Sequence, residues 1–230
     1  MTGEFVFEHV VCGYGDTMVV RGVSGRVAPG SVLGVLGRNG VGKTTLLRAL
    51  AGFLPLTEGR VGWQGRDLAG VGAHARLALG IAYAPQDNVV FGDLSVADNL
   101  WLHLADRGRG RYADAFAAFP LLEQRLRQRA GSLSGGERKL LSFARTLGLG
   151  AQLTLLDEPT EGVQPENIER MAQLVRHRRA AGALFVVVEQ NLSFIESIAD
   201  NVLVLDHGET MVAGSLARLG REAIEAHLVV

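Results

Sequence analysis

Two kinds of apolar pattern divide the chain. The runs "SVLGVLG" (31–37), "LTLLD" (153–157), "ALFVVVEQ" (183–190) and "NVLVLDHG" (201–208) are nearly continuous rather than alternating. Strands covered on both faces read this way, so the runs predict a buried parallel sheet. The first three lead into helical periods, "KTTLLRALAGFL" (43–54), "PENIERMAQLVRHRRAAG" (165–182) and "NLSFIESIAD" (191–200). Strand and helix in alternation predict βαβ units and an α/β fold. Residues 4–35 and 59–66 differ: short Val and Phe segments broken by Gly and Asp read as an antiparallel piece beside the main sheet. Residues 88–150 are mostly helical in pattern, with "SVADNLWLHLAD" and "RYADAFAAFPLLEQRLRQ" forming a lobe inserted before the strand that ends at Asp157.

Charge changes the picture by exclusion. Lys and Arg total 23 against 24 Asp and Glu, a net charge of −1 over 230 residues, so no basic field points to nucleic acid. The single cysteine, Cys12, staples nothing and suits a reducing compartment. The N-terminal "MTGEFVFEHV" lacks the basic start and apolar core of a signal peptide, and no run approaches the ~20 residues that span a bilayer, so a soluble, cytoplasmic chain is expected. His9, His74, His103, His177, His207 and His227 fall at no metal-ligand spacing, and "RGRGR" (107–111) and "RHRRAAG" (176–182) read as solvated charge.

The chemistry concentrates in three stretches. "GRNGVGKTT" (37–45) matches G-x-x-x-x-G-K-[ST] between a strand and a helix, the context this phosphate cradle requires. Gly37, Gly40 and Gly42 let backbone N–H groups face an anion, Lys43 adds a charge for the β and γ phosphates, and Thr44 offers a hydroxyl to Mg²⁺. "LTLLDEPTEGVQP" ends its apolar run on Asp157 and Glu158. Successive side chains of a strand point oppositely, so the two acids cannot serve one atom; Asp157 is assigned to metal and Glu158 to general base on the attacking water. "LSGGERKLLSFARTL" (133–147) puts Ser134, Gly135 and Gly136 at a second anion-favouring helix start, for which an ordinary serine cap is the competing reading.

Together, in this order, these stretches resemble the nucleotide-binding subunit of an ABC transporter over essentially the whole chain. The resemblance implies a single P-loop NTPase domain over residues 1–230, with a parallel-sheet core, an N-terminal antiparallel β subdomain and the helical subdomain at about 88–150. It implies ATP and Mg²⁺ as cofactors and a sandwich dimer in which Gly37, Arg38, Asn39, Gly40, Val41, Gly42, Lys43, Thr44 and Thr45 of one subunit face Ser134, Gly135, Gly136 and Glu137 of the other. Tyr14 in "GYGD" would stack on adenine; Gln86 in "YAPQDN" would join Thr44 and Asp157 at Mg²⁺; Gln190 would sense the γ phosphate beside the catalytic Glu158. Expected partners are a second ABC ATPase subunit, membrane permease subunits that the lobe receives and, indirectly, a solute-binding protein, on the inner face of the cell membrane. "QRAGSLSGGERKLLSFARTL", "DEPTEGVQP" and "VVVEQN" are similar to the branched-chain amino acid uptake group and its urea and short-amide relatives, where Gln164 and Gln190 replace the Asp and His of many ABC ATPases. Import of branched-chain amino acids is therefore expected, with urea or short-amide import, or a soluble non-transport ABC ATPase, as the alternatives.

Overall fold

The structure is a computed structural model and describes residues 3–87, 89–102 and 104–228. Two sheets organise it. β1 (Phe5–Tyr14), β2 (Thr17–Val27), β4 (Glu58–Trp63) and β5 (Arg66–Asp67) form an antiparallel sheet in the order β2-β1-β4-β5. β3 (Val32–Leu36), β6 (Ile81–Ala84), β7 (Leu153–Asp157), β8 (Leu184–Glu189), β9 (Asn201–Asp206) and β10 (Glu209–Ser215) form the main sheet, in the order β10-β9-β3-β8-β7-β6. Within it the β9-β3-β8-β7-β6 neighbours are parallel and only β10 runs against its neighbour.

The unbroken apolar runs reflect burial on both faces. All six residues of β8 are buried. Leu184, Val186 and Val188 join the core beneath α1 (Lys43–Leu50) and the antiparallel sheet, while Phe185 and Val187 join the core under α6 (Gly135–Gly148), α7 (Pro165–Ala180) and α8 (Leu192–Ile198). The first antiparallel segment ends at Val27; the strand from Val32, which the 4–35 reading includes, lies between β9 and β8 at the centre of the parallel sheet. Two strands escaped the pattern. β6 is four residues long, and β10 is an edge strand with no buried residue that folds back through a two-residue turn at His207 (φ 46°) and Gly208 (φ 83°), the pair of positive φ values a tight hairpin needs. A Cβ at Gly208 would stand 2.0 Å from the Val19 carbonyl oxygen, so this turn is pressed against β2.

The remaining helices are α2 (Ala73–Ala78), α3 (Val96–Trp101), α4 (Ala113–Ala118), α5 (Pro120–Gln124) and α9 (Leu216–Glu225). The helical period over 111–128 breaks at Phe119, whose φ of −126° and ψ of 73° answer the steric demand of Pro120 on its predecessor. The basic runs are not simply solvated. Arg107 and Arg109 stay exposed while meeting Asp98 and Glu123 at 3.2 Å each, and Arg111 donates to the Gly148 carbonyl. Arg176 and Arg179 clip α7 to the carbonyls of Ser197 and Ile198. His103 lies outside the described residues; among those described, no cluster of His, Cys, Asp and Glu forms a metal site and no helix is long and apolar enough to cross a membrane.

Candidate functional site

The cradle grows from the geometry of its glycines. β3 ends at Leu36, and the chain turns through Gly37, Gly40 (φ 80°) and Gly42 (φ 105°) before α1 begins at Lys43. At Gly42 the positive φ strains any side chain, and a Cβ would press on Val19 of β2 at 3.3 Å. At Gly37 a Cβ would lie 2.6 Å from the Leu205 carbonyl. The loop therefore folds close, and Lys43 is drawn into it: its side chain is 4% exposed and its Nζ donates to the carbonyls of Gly37 and Arg38 at 2.9 Å each. The same Nζ stands 3.1 Å from Glu158 Oε1.

Asp157 closes β7 and accepts a hydrogen bond from Thr44 Oγ1 at 3.0 Å and another from the Tyr83 hydroxyl at 3.1 Å. Burial lifts its carboxyl above the usual range, and the neighbouring negative Glu158 adds to this; Thr44 and Tyr83 oppose it. Gln86 Oε1 lies 3.4 Å from Thr44 Oγ1. A hydroxyl, a carboxylate and an amide oxygen thus converge, and this all-oxygen set fits a hard divalent cation of the Mg²⁺ kind. The backbone of Glu158 is left-handed (φ 44°), and its N–H donates to the Val188 carbonyl at 2.9 Å. That turn, beyond the alternation of the strand, sends the Glu158 carboxylate away from Asp157 to meet Lys43, Gln86 Nε2 at 2.9 Å and Gln190 Nε2 at 3.3 Å. A left-handed non-glycine residue at this place is costly and is held by its surroundings.

Gln190 also donates to Asn39 Oδ1 at 2.6 Å, which joins the end of β8 to the cradle. The cap of α8 is supplied by Asn191, whose side chain accepts from the Phe194 N–H, so Gln190 is not the helix-start residue. Lys43, Thr44, Asn39, Gln86, Asp157, Glu158 and Gln190 therefore form one hydrogen-bonded group. Arg38, Val41 and Thr45 belong to the same loop and helix start. Ser134 to Glu137 make no hydrogen bond to that group among the described residues. There the two side chains cap each other, the Ser134 hydroxyl accepting from Glu137 N–H and the Glu137 carboxylate accepting from Ser134 N–H; that N–H, with Arg125 at 2.9 Å adding to it, holds the Glu137 carboxyl below its usual range. The serine cap is therefore present in the free chain, while a Cβ at Gly136 would meet the Gly162 carbonyl at 2.6 Å. Gln164 occupies the N-cap position of α7 without a capping side-chain bond. Tyr14 ends β1, is 47% exposed and carries the Arg48 guanidinium 5.9 Å above its ring.

Three side chains of this region went unread in the sequence. Glu189, buried at the end of β8, accepts from Thr160 N–H and Oγ1 and from the N–H groups of Gln190 and Asn191, and burial raises its pKa. It tethers the turn after Glu158 to the segment of Gln190; its signal was an acid closing an apolar run, the same signal that marked Asp157. Tyr83 and Lys139 act through tertiary contacts that leave no local signature.

The ABC transporter family model matches residues 20–161, from β2 through the cradle and the lobe to the turn after Glu158. The chain belongs to the ABC transporter family. It is 32% identical over 217 residues to the high-affinity branched-chain amino acid transport ATP-binding protein BraG of Pseudomonas aeruginosa, covering 93% of each chain. It is 33% identical over 207 residues to the lipopolysaccharide export system ATP-binding protein LptB of Acidithiobacillus ferridurans, covering 88% of this chain and 86% of that one. A nucleotide-free ATP-binding cassette from an ABC transporter superposes with a TM-score of 0.81 at 25% identity, covering 99% of this chain and 95% of that one. The ABC ATPase is thus the ATP-binding subunit of a transporter, and its activity is ATP hydrolysis coupled to transport.

Proposed function

We infer that this ABC ATPase powers an importer of branched-chain amino acids, that its site is built on the residue roles read from the sequence, and that it works as half of a two-subunit sandwich against permease subunits on the inner face of the membrane. The observation that carries the site assignment is the contact of Lys43 with Glu158 inside a group that also holds Gln86, Gln190 and Thr44. On nucleotide binding, Lys43 exchanges the Gly37 and Arg38 carbonyls and Glu158 for phosphate oxygens, and the N–H groups of residues 37–45 donate to the same phosphates. Thr44, Gln86 and Asp157 hold Mg²⁺, which neutralises charge on the phosphates. Freed of Lys43, Glu158 takes the proton of the attacking water. Gln190, which the free chain engages with Asn39 and Glu158, donates to the γ phosphate, and Tyr14 stacks on the adenine. Ser134, Gly135, Gly136 and Glu137 open their mutual cap toward the partner subunit's nucleotide, where free N–H groups at a helix start favour an anion.

The import direction and the solute rest on the likeness to BraG and on the wording of the signature and post-Glu158 stretches. The likeness to LptB at a similar identity supports a second reading, an export system for a lipid-linked substrate. Co-purification of the membrane subunits with this ATPase, followed by reconstitution into proteoliposomes, separates them. ATP-dependent accumulation of labelled leucine, competed by valine and not by urea, supports the importer. Accumulation of urea instead moves the assignment to the short-amide side, and absence of any solute uptake with ATP-dependent lipid extraction overturns import.

A further inference from the structure

Lys139 sits in the first half of α6, on the helix whose start carries Ser134, Gly135 and Gly136. It is only 12% exposed, and the one carboxylate paired with it among the described residues, the exposed Glu161, stands off at 3.7 Å. Its Nζ donates instead to two main-chain carbonyls, that of Gln86 at 2.9 Å and that of Glu158 at 3.1 Å. These carbonyls belong to segments distant in sequence, and each precedes or carries a side chain aimed at the cradle: Gln86 at Thr44 and Glu158, and Glu158 at Lys43. Glu158 is moreover the residue held at positive φ. Its peptide is fixed on one side by its N–H to the Val188 carbonyl and on the other by Lys139 at its own carbonyl. A buried ammonium that finds its partners in carbonyls is bound strongly by them, because charge-assisted bonds are stronger in a dry place than neutral ones.

We propose that Lys139 is a positioning residue for ATP hydrolysis: it clamps the backbones of Glu158 and Gln86 so that the Glu158 carboxylate faces the attacking water, and it ties that geometry to the helix whose start faces the partner subunit's nucleotide. This rests on the reading of Glu158 as the base. A helix that moves when its start engages phosphate carries Lys139 with it, and Lys139 moves both carbonyls at once. Each site then feels the occupancy of the other through a single side chain rather than through the sheet.

The test uses the full chain and steady-state ATP hydrolysis measured beside thermal melts. Lys139→Met keeps the stem and removes the donors. Turnover should fall roughly 10- to 100-fold, the loss expected from misplacing a catalytic group by about an ångström, with KM for ATP within about twofold and the melting temperature close to wild type. Lys139→Arg, which restores donors, should recover most of the turnover; if Lys139→Met does not fold, Lys139→Gln, with one neutral donor amide, replaces it and should show an intermediate loss. Because Lys139 acts through Glu158, adding Lys139→Met to Glu158→Gln should slow the residual single-turnover rate no further. Equal turnover per folded molecule in Lys139→Met beside a disabled Glu158→Gln overturns the clamp and leaves the base assignment standing. An additional full-sized loss in the double variant places Lys139 in some other role and also overturns it. Hydrolysis undiminished in Glu158→Gln overturns both the base and the clamp that depends on it.

Discussion

Replacing Lys43 by Met separates the electrostatics of the resting site from its chemistry. In the nucleotide-free chain Lys43 and Glu158 are 4% and 5% exposed and 3.1 Å apart, so they form a buried ion pair rather than a surface one. Removing one member of such a pair costs about 3–5 kcal/mol because the other is left charged in a dry place. Glu158 keeps amide donors from Gln86 and Gln190, so the low end of the range, about 3 kcal/mol, is expected for Lys43→Met. For a chain of 230 residues this corresponds to a fall of roughly 6–12 °C in melting temperature. Glu158→Gln alone removes the charge but leaves Lys43 its two carbonyl acceptors, so the loss is smaller. The double variant, with neither charge, should melt above Lys43→Met. Melts followed by circular dichroism without nucleotide or Mg²⁺, at low and at high salt, read the cycle; screening reaches a buried pair poorly, so salt should change little. A double variant melting at the sum of the two single losses refutes the pair, as does a Lys43→Met melt within about a degree of wild type.

Two further outcomes test the surroundings. Gln190→Ala should slow turnover by the loss of a bond to a charged group, about 1.5–3 kcal/mol, while leaving the melt unchanged because Asn191 caps α8; equal turnover per folded molecule removes its role at the γ phosphate. Cys12 is fully buried and its thiol is pushed up to about 11. Since the thiolate is the reactive form, a disulfide exchange reagent should leave the native chain unmodified at pH 7 and still at pH 9, and react only on unfolding; rapid native reaction contradicts that burial.

What was legible in the sequence follows physical rules of range. The cradle is a local constraint: the glycine spacing between "VLGVL" and "KTTLL" carries its own strand and helix. The parallel core was readable because β7, β8 and β9 are covered on both faces and so lose alternation. β10 was missed because it is an edge strand with mixed exposure, and β6 because four residues hold too little pattern. Asp157 and Glu158 stood out as acids closing an apolar run, but their divergence owes as much to the left-handed turn at Glu158 as to alternation, and nothing in "DEPT" declares a positive φ. Gln190 lies 151 positions from Asn39, to which it is bonded, and its place came from the family likeness. Lys139 was invisible because its partners are carbonyls, which every residue has.

The central claim is that Glu158 activates the water that attacks ATP. The measurement that meets it most directly is ATP binding and ATP hydrolysis on the same Glu158→Gln preparation. Binding of a labelled nucleotide should match wild type, because Lys43 and residues 37–45 are untouched. Hydrolysis should fall by roughly 10²- to 10⁴-fold, the contribution of a positioned base, and an ATP-bound dimer should accumulate. Hydrolysis at the wild-type rate, with binding intact, contradicts the claim.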